Sequence, residues 1–143
     1  DKYTPSVNFE TAFTVNEKLQ QLGSLKIVSI PFIDKVYTKD VIAKETRNYP
    51  ISYIRYENAK EYDTEIVLNI PEGSKFIELP ENKELTFKGH TYTIQYNLVK
   101  PNQLVVKRKV TLDWNDIPVA DYPEFKKYVE EVIAIEEQIV GYK

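Results

Sequence analysis

From Pro50 to Leu112 apolar and polar residues alternate almost without interruption, and from Tyr122 to Val140 the apolar residues recur at helical spacing instead. A period of two marks strands with one buried face, and a period near 3.6 marks a helix with one buried stripe. A chain patterned this way is committed to a sheet-rich core with a helix laid against it. Its 143 residues fit one domain over residues 1–143, able to bury roughly 68% of the surface that the unfolded chain exposes.

Within the alternating region, Ile51 to Tyr56 reads as a strand with bulky groups on both faces, and Asn58 to Tyr62 as a charged loop. Ile66, Leu68 and Ile70 share a face. Pro71-Glu72-Gly73 then supplies a turn, because Pro presets φ and Gly accepts a positive one. Phe76 to Leu79 is a short strand closed by Pro80-Glu81-Asn82. Leu85 and Phe87 lead into Gly89-His90, a hairpin signal, and Tyr92, Ile94, Tyr96 and Leu98 form the returning strand. After Pro101-Asn102, Leu104, Val106, Val110 and Leu112 share one parity, with Lys107 and Lys109 on the other. Arg108 falls on the apolar parity, which a strand end or a partnered arginine would explain. Pro50, Pro71, Pro80, Pro101 and Pro118 stand at segment boundaries, where a residue without a ladder donor belongs.

The N-terminal part is less regular. Val7, Phe9, Thr11, Phe13 and Val15 share a parity and read as a first strand, so residues 1–23 are either that strand or a linker. Asn16 to Gly23 reads as a turn or a short helical connection. Leu25 to Ile33 is an apolar run interrupted by Pro31, hence an edge strand or two short ones. Thr38 followed by Asp40 to Glu45 allows a short helix.

At the other end, Asp121 is the expected N-cap, Pro123 suits the first helical turn, and Glu124 complements the positive end of the helix dipole. Phe125, Tyr128, Val129, Val132, Ile135 and Ile139 form the apolar stripe, and Gly141 ends the helix. Glu130-Glu131 and Glu136-Glu137 read as its solvated side. The pattern as a whole predicts a mainly β chain: an antiparallel β-sandwich of about seven strands, Ig-like in style, with one C-terminal amphipathic α-helix over residues 122–140 packed on it.

Equipment for chemistry is sparse. There is no Cys, and His90 is the sole His. Thiolate nucleophiles and sulfur-rich metal sites are therefore excluded. His90, in Lys88-Gly89-His90-Thr91, reads as an exposed hairpin-tip residue. Asp113-Trp114-Asn115-Asp116 gathers oxygen ligands but lacks the spacing of a calcium loop and reads as a turn. The sequence nominates no catalytic residue, no cofactor-binding residue and no metal ligand. Trp114, the sole Trp, is the one candidate ligand-stacking residue; the competing reading makes it a core plug under the helix. The 11 Tyr fit sheet faces half in contact with water, or a binding surface for sugars or peptides that would make the chain a carbohydrate- or peptide-binding module. A net charge of -3 with Lys and Glu interspersed argues against a nucleic-acid partner. No apolar run approaches the ~20 residues that span a bilayer. The chain contains no Met, which predicts a processed product or a piece of a longer protein.

One series of motifs goes further: Arg47-Asn48-Tyr49-Pro50-Ile51, Ile70-Pro71-Glu72-Gly73, Leu79-Pro80, the Tyr92 to Tyr96 strand, Pro101-Asn102, Lys107-Arg108-Lys109, Tyr122-Pro123-Glu124-Phe125-Lys126 and Gln138-Ile139-Val140. In this order they resemble the C-terminal β-rich domain of unknown function found in multidomain transglutaminase-like proteins of the Gram-negative envelope, over roughly Leu25 to Lys143. In that family the Cys-His-Asp machinery lies in the preceding domain, and this chain has no Cys to match it. The resemblance thus implies a non-catalytic accessory module without cofactors. It would be partnered by the adjacent transglutaminase-like domain of its parent chain, or by a protein or glycan, in the periplasm or at the outer surface. Tyr122 and Phe125 would anchor the helix, and Arg47 would pair with a carboxylate.

Overall fold

The computed structural model describes residues 6–14, 19–52 and 59–143. Among these residues, eight strands and one α-helix carry the fold: β1 (Gln20–Leu22), β2 (Leu25–Ser29), β3 (Glu61–Asn69), β4 (Phe76–Glu78), β5 (Lys83–Phe87), β6 (His90–Lys100), β7 (Gln103–Thr111), α1 (Tyr122–Glu136) and β8 (Ile139–Tyr142). They form two antiparallel four-stranded sheets, ordered β1-β2-β8-β4 and β3-β7-β6-β5. The expected architecture, mainly β and antiparallel with a C-terminal helix, is the one observed, in a sandwich-like arrangement around one cluster of buried apolar side chains.

The larger sheet follows its alternation closely. In β7, Val106, Arg108 and Val110 point inward, opposite Ile66, Thr64 and Tyr62 of β3, while Lys107 and Lys109 face out. Ser74 closes the turn after β3 by donating from its backbone N–H to the Pro71 carbonyl at 3.0 Å, and Gly73 takes the positive φ of 85° that this turn demands. The β5–β6 hairpin is closed by Lys88 and Gly89. There the constraint on Gly89 is close approach: a Cβ would stand 2.7 Å from Asp113 Oδ2. The sheets are tied at one corner, where the Ile70 and Phe76 amides donate to the Asn102 and Pro101 carbonyls at 3.1 and 2.9 Å.

Several expectations need correction. Val7, Phe9, Thr11 and Phe13 form no strand, and the three apolar ones are exposed; alternation without a neighbouring strand satisfies no backbone group. Val15 and residues 16–18 lie outside the described residues, as do positions 53–56 of the Ile51–Tyr56 strand and Asn58 of the loop that follows. Ile51 itself pairs with Ile117, and Glu61 and Tyr62 already belong to β3 rather than to the loop. β2 is interior, between β1 and β8, and ends before Pro31. The short helix after Thr38 is a 3₁₀ turn, Lys39–Ile42.

The largest correction is at the C-terminus. The helix stops at Glu136, not at residue 140, and Gly141 sits in a strand. β8 enters the gap between β2 and β4 and takes ladder bonds from both. Val140 is fully buried and Ile139 half-exposed, the reverse of the helical stripe. Two strands in need of a partner outweigh a continuing helical pattern here, and β-branched Ile139 and Val140 favour that outcome.

Replacing Gly89 with Ala should cost about 1–3 kcal/mol of stability, because the methyl group must displace the Asp113 side chain. Urea denaturation measures this; an unchanged midpoint would show the contact to be soft.

Candidate functional site

The buried polar side chains among the described residues, His90, Arg108 and Glu136, fall in two centres between α1 and the larger sheet. The first is built on Arg108. Its side chain has no exposure, although it stands in the middle of β7. A guanidinium taken out of water must place its donors on acceptors. Nη1 donates to Glu136 Oε1 at 2.7 Å. Nη2 donates to Asp34 Oδ1 at 2.7 Å, to the Asp34 carbonyl at 2.9 Å and to Thr64 Oγ1 at 2.8 Å. The Phe32 ring faces the guanidinium, 5.0 Å from its centroid. Arg108 is thus the partnered arginine that its parity allowed. Glu136, expected on the solvated side of the helix, is instead buried against it. Burial pushes the Glu136 carboxyl up, and Arg108 pulls the other way. Burial, with Glu136 second, also pushes the Tyr92 hydroxyl up, and Tyr96 rises to about 12 for the same two reasons.

The second centre is His90. It opens β6 and is 2% exposed, so the exposed-tip expectation is overturned. His90 has the parity of Tyr92, Ile94 and Tyr96, and that parity faces the core. Its ring packs among Phe87, Phe125 and Tyr128. The Tyr37 hydroxyl is hydrogen-bonded to His90 Nδ1 at 3.3 Å and donates to the Tyr128 hydroxyl at 3.5 Å. Burial holds the imidazole below its usual range, and the Asp113 carboxylate opposes this weakly. Tyr128 is pushed up to about 12, again by burial.

The loop between β7 and the helix folds on its own side chains. Asp113 Oδ1 accepts from the Asn115 backbone N–H at 3.1 Å and from its amide nitrogen at 2.8 Å, which lowers the Asp113 carboxyl. Asp116 accepts from Ser52 at 2.7 Å. Trp114 is half-buried against the core, its indole nitrogen buried, with the Lys60 ammonium 4.4 Å from the ring centroid. Arg47 lies over the Tyr122 ring, 5.6 Å from its centroid, and is paired with no carboxylate among the described residues. Asp121 precedes the helix but makes no side-chain cap; its carboxylate pairs with Lys88.

One open groove of about 360 Å³ runs between the 3₁₀ turn and α1. Ile42, Ala43, Ile133 and Ala134 line it, and the Lys39–Glu137 and Lys126–Glu45 ion pairs, at 3.0 and 2.9 Å, border it. Neither buried centre lines this groove. Among the described residues, no group of three or more His, Cys, Asp or Glu is placed to hold a metal.

Two stability experiments probe these centres. Arg108→Met should cost about 3–5 kcal/mol, because it strands Glu136 in the core, whereas Arg108→Met combined with Glu136→Met should recover much of that loss; urea denaturation of both variants checks it. His90 has a folded pKa below its unfolded value near 6.5. The unfolded chain therefore binds more protons in that window, so the His90 contribution is intact above pH 6.5 and is lost as pH falls toward the folded pKa. Compared with wild type, His90→Gln should flatten the pH dependence of stability between pH 7 and 5.

Residues 25–140 match the model of a family described as a domain of unknown function with solved structure, DUF3858. No curated protein matches the chain. No solved structure matches it either.

Proposed function

The chain belongs to the DUF3858 family, and from that premise we propose that it is a non-catalytic accessory module of a transglutaminase-like protein of the bacterial envelope, in the periplasm or at the outer surface, where it docks on the adjacent transglutaminase-like domain. The observation that carries this reading is how the reactive groups are used. The one imidazole, packed on Tyr128 of the helix and bonded to Tyr37, and the one fully buried guanidinium among the described residues both serve in joining the helix to the sheet. A general base must reach the proton it abstracts, and His90 is enclosed by aromatic rings.

The motifs behind the family resemblance support the same reading, because they fall on positions that build the fold. Pro71 and Gly73 form a turn, Pro101 and Asn102 join β6 to β7, and Tyr122 to Lys126 open α1. Arg108, at the centre of Lys107-Arg108-Lys109, holds the helix to the sheet. No helix among the described residues is long and apolar enough to cross a membrane. A sugar- or peptide-binding role built on Trp114 has weaker support, since Lys60 already lies over that ring.

The test is calorimetric titration of this chain with the transglutaminase-like domain of its own parent polypeptide, alongside an acyl-transfer assay of the chain alone. Saturable binding without turnover is the expected result. Amide turnover by the isolated chain, or a parent polypeptide lacking such a domain, would sink the reading.

A further inference from the structure

Among the described residues, a strand-like segment lies outside either sheet and a long sheet edge has no strand beside it. Over residues 6–14, Val7, Phe9 and Phe13 share one parity and all three are exposed, Phe9 by 91%. Single exposed apolar residues are ordinary, but three on one face of an alternating segment outside any sheet form the apolar side of a strand without a core. The other half of the argument is β3. It is an edge of its sheet, nine residues long, paired with β7 in continuous register from Glu61 to Asn69.

Edge strands are ordinarily protected by charged side chains, a proline, a bulge, an inward charge, short length or a covering element. β3 has no proline, bulge, inward charge or short length, and carries charged side chains on its outer face only. Its inward residues are Tyr62, Thr64, Ile66 and Leu68, and all four are only half-buried. Its charges, Glu61, Asp63 and Glu65, lie on the outer face, where Lys109 and Lys107 stand 3.6 Å from Glu61 and Glu65. The remaining edges are poorer acceptors: β1 and β4 have three residues each, and β5 has five and lies against α1.

We propose that two copies of this chain associate by strand exchange, the 6–14 segment of each adding to the free edge of β3 in the other. Added there, Val7, Phe9 and Phe13 extend the face formed by Tyr62, Ile66 and Leu68, and Thr11 joins Thr64 on it, so the half-buried inner row is covered. Backbone hydrogen bonds supply affinity and the alternating side chains supply register, as in strand addition generally. A second copy is the occupant because donor and acceptor are carried on one chain, so a twofold exchange satisfies both at once and closes the assembly. Aromatic side chains bury on the order of 150 Å² each. Two from each copy, together with Val7 and the covered inner row of β3, bring the contact to the roughly 1,000 Å² that specific association requires. This inference does not depend on the accessory-module reading.

Sedimentation equilibrium of the 143-residue chain should show a reversible dimer. Phe9→Asp changes an exposed side chain and leaves the fold intact, yet it should weaken the dimer by about 10²- to 10⁴-fold, because the twofold assembly loses two such rings, each worth about 10- to 100-fold. Hydrogen exchange should show β3 amides protected in the dimer and released in Phe9→Asp. A monomeric wild type, a dimer indifferent to Phe9→Asp, or protection that appears on β1, β4 or β5 instead would each overturn the proposal.

Discussion

The demand of one buried guanidinium organises this molecule. Arg108 stands in the middle of a strand, where its neighbours along the chain offer it nothing. Its partners therefore come from elsewhere: Thr64 on the adjacent strand, Asp34 in the segment after β2, and Glu136 in the last helical turn. The placement of the helix on the sheet delivers Glu136 to within 2.7 Å. That placement also brings Phe125 and Tyr128 against Phe87 and ends the helix where the chain can return as β8. The pair adds little net stability compared with apolar residues of the same volume, but breaking it is costly. Its effect is to penalise every other register of helix on sheet. A cation at the C-terminal end of a helix also gains from the helix dipole.

The same arrangement separates an interior rich in polar groups from a surface that is ordinary in its chemistry. His90, Tyr37, Tyr128, Arg108 and Glu136 all face inward, and burial moves the titratable groups among them in the direction of their neutral forms wherever a shift is resolved. The outer face of the larger sheet carries cross-strand ion pairs, each worth little in water. What distinguishes the surface among the described residues is backbone: a nine-residue edge with no strand beside it and an exposed alternating segment. Those features suit recognition by strand pairing better than chemistry on a small substrate.

Both members of the central ion pair left a mark in the sequence. Arg108 has the parity of Val106 and Val110, and Glu136 follows Val132 and Val129 at helical spacing. Each is a charge on an apolar face, and the two are opposite in sign. Read together they predict each other; taken one at a time, Glu136 passes for surface. His90 carried the same kind of signal, since its parity continues through Tyr92, Ile94 and Tyr96, while the Gly before it pointed to an exposed tip. Tyr37 and Asp34 carried no such signal, because they lie in irregular backbone whose path depends on distant contacts.

Short-range patterning encodes much of this fold. The strands of the larger sheet, their turns and inward faces, and the start of the helix all follow from which residues alternate and where Pro and Gly interrupt them. Which segments find partners is settled by long-range packing. Ile139 continues the helical stripe yet enters a strand because β2 and β4 leave a place between them, and residues 6–14 keep a strand pattern yet join no sheet among the described residues. Hydrogen bonding within a helix is satisfied locally, whereas a strand is complete only when another strand lies beside it, and that neighbour is chosen by the whole chain.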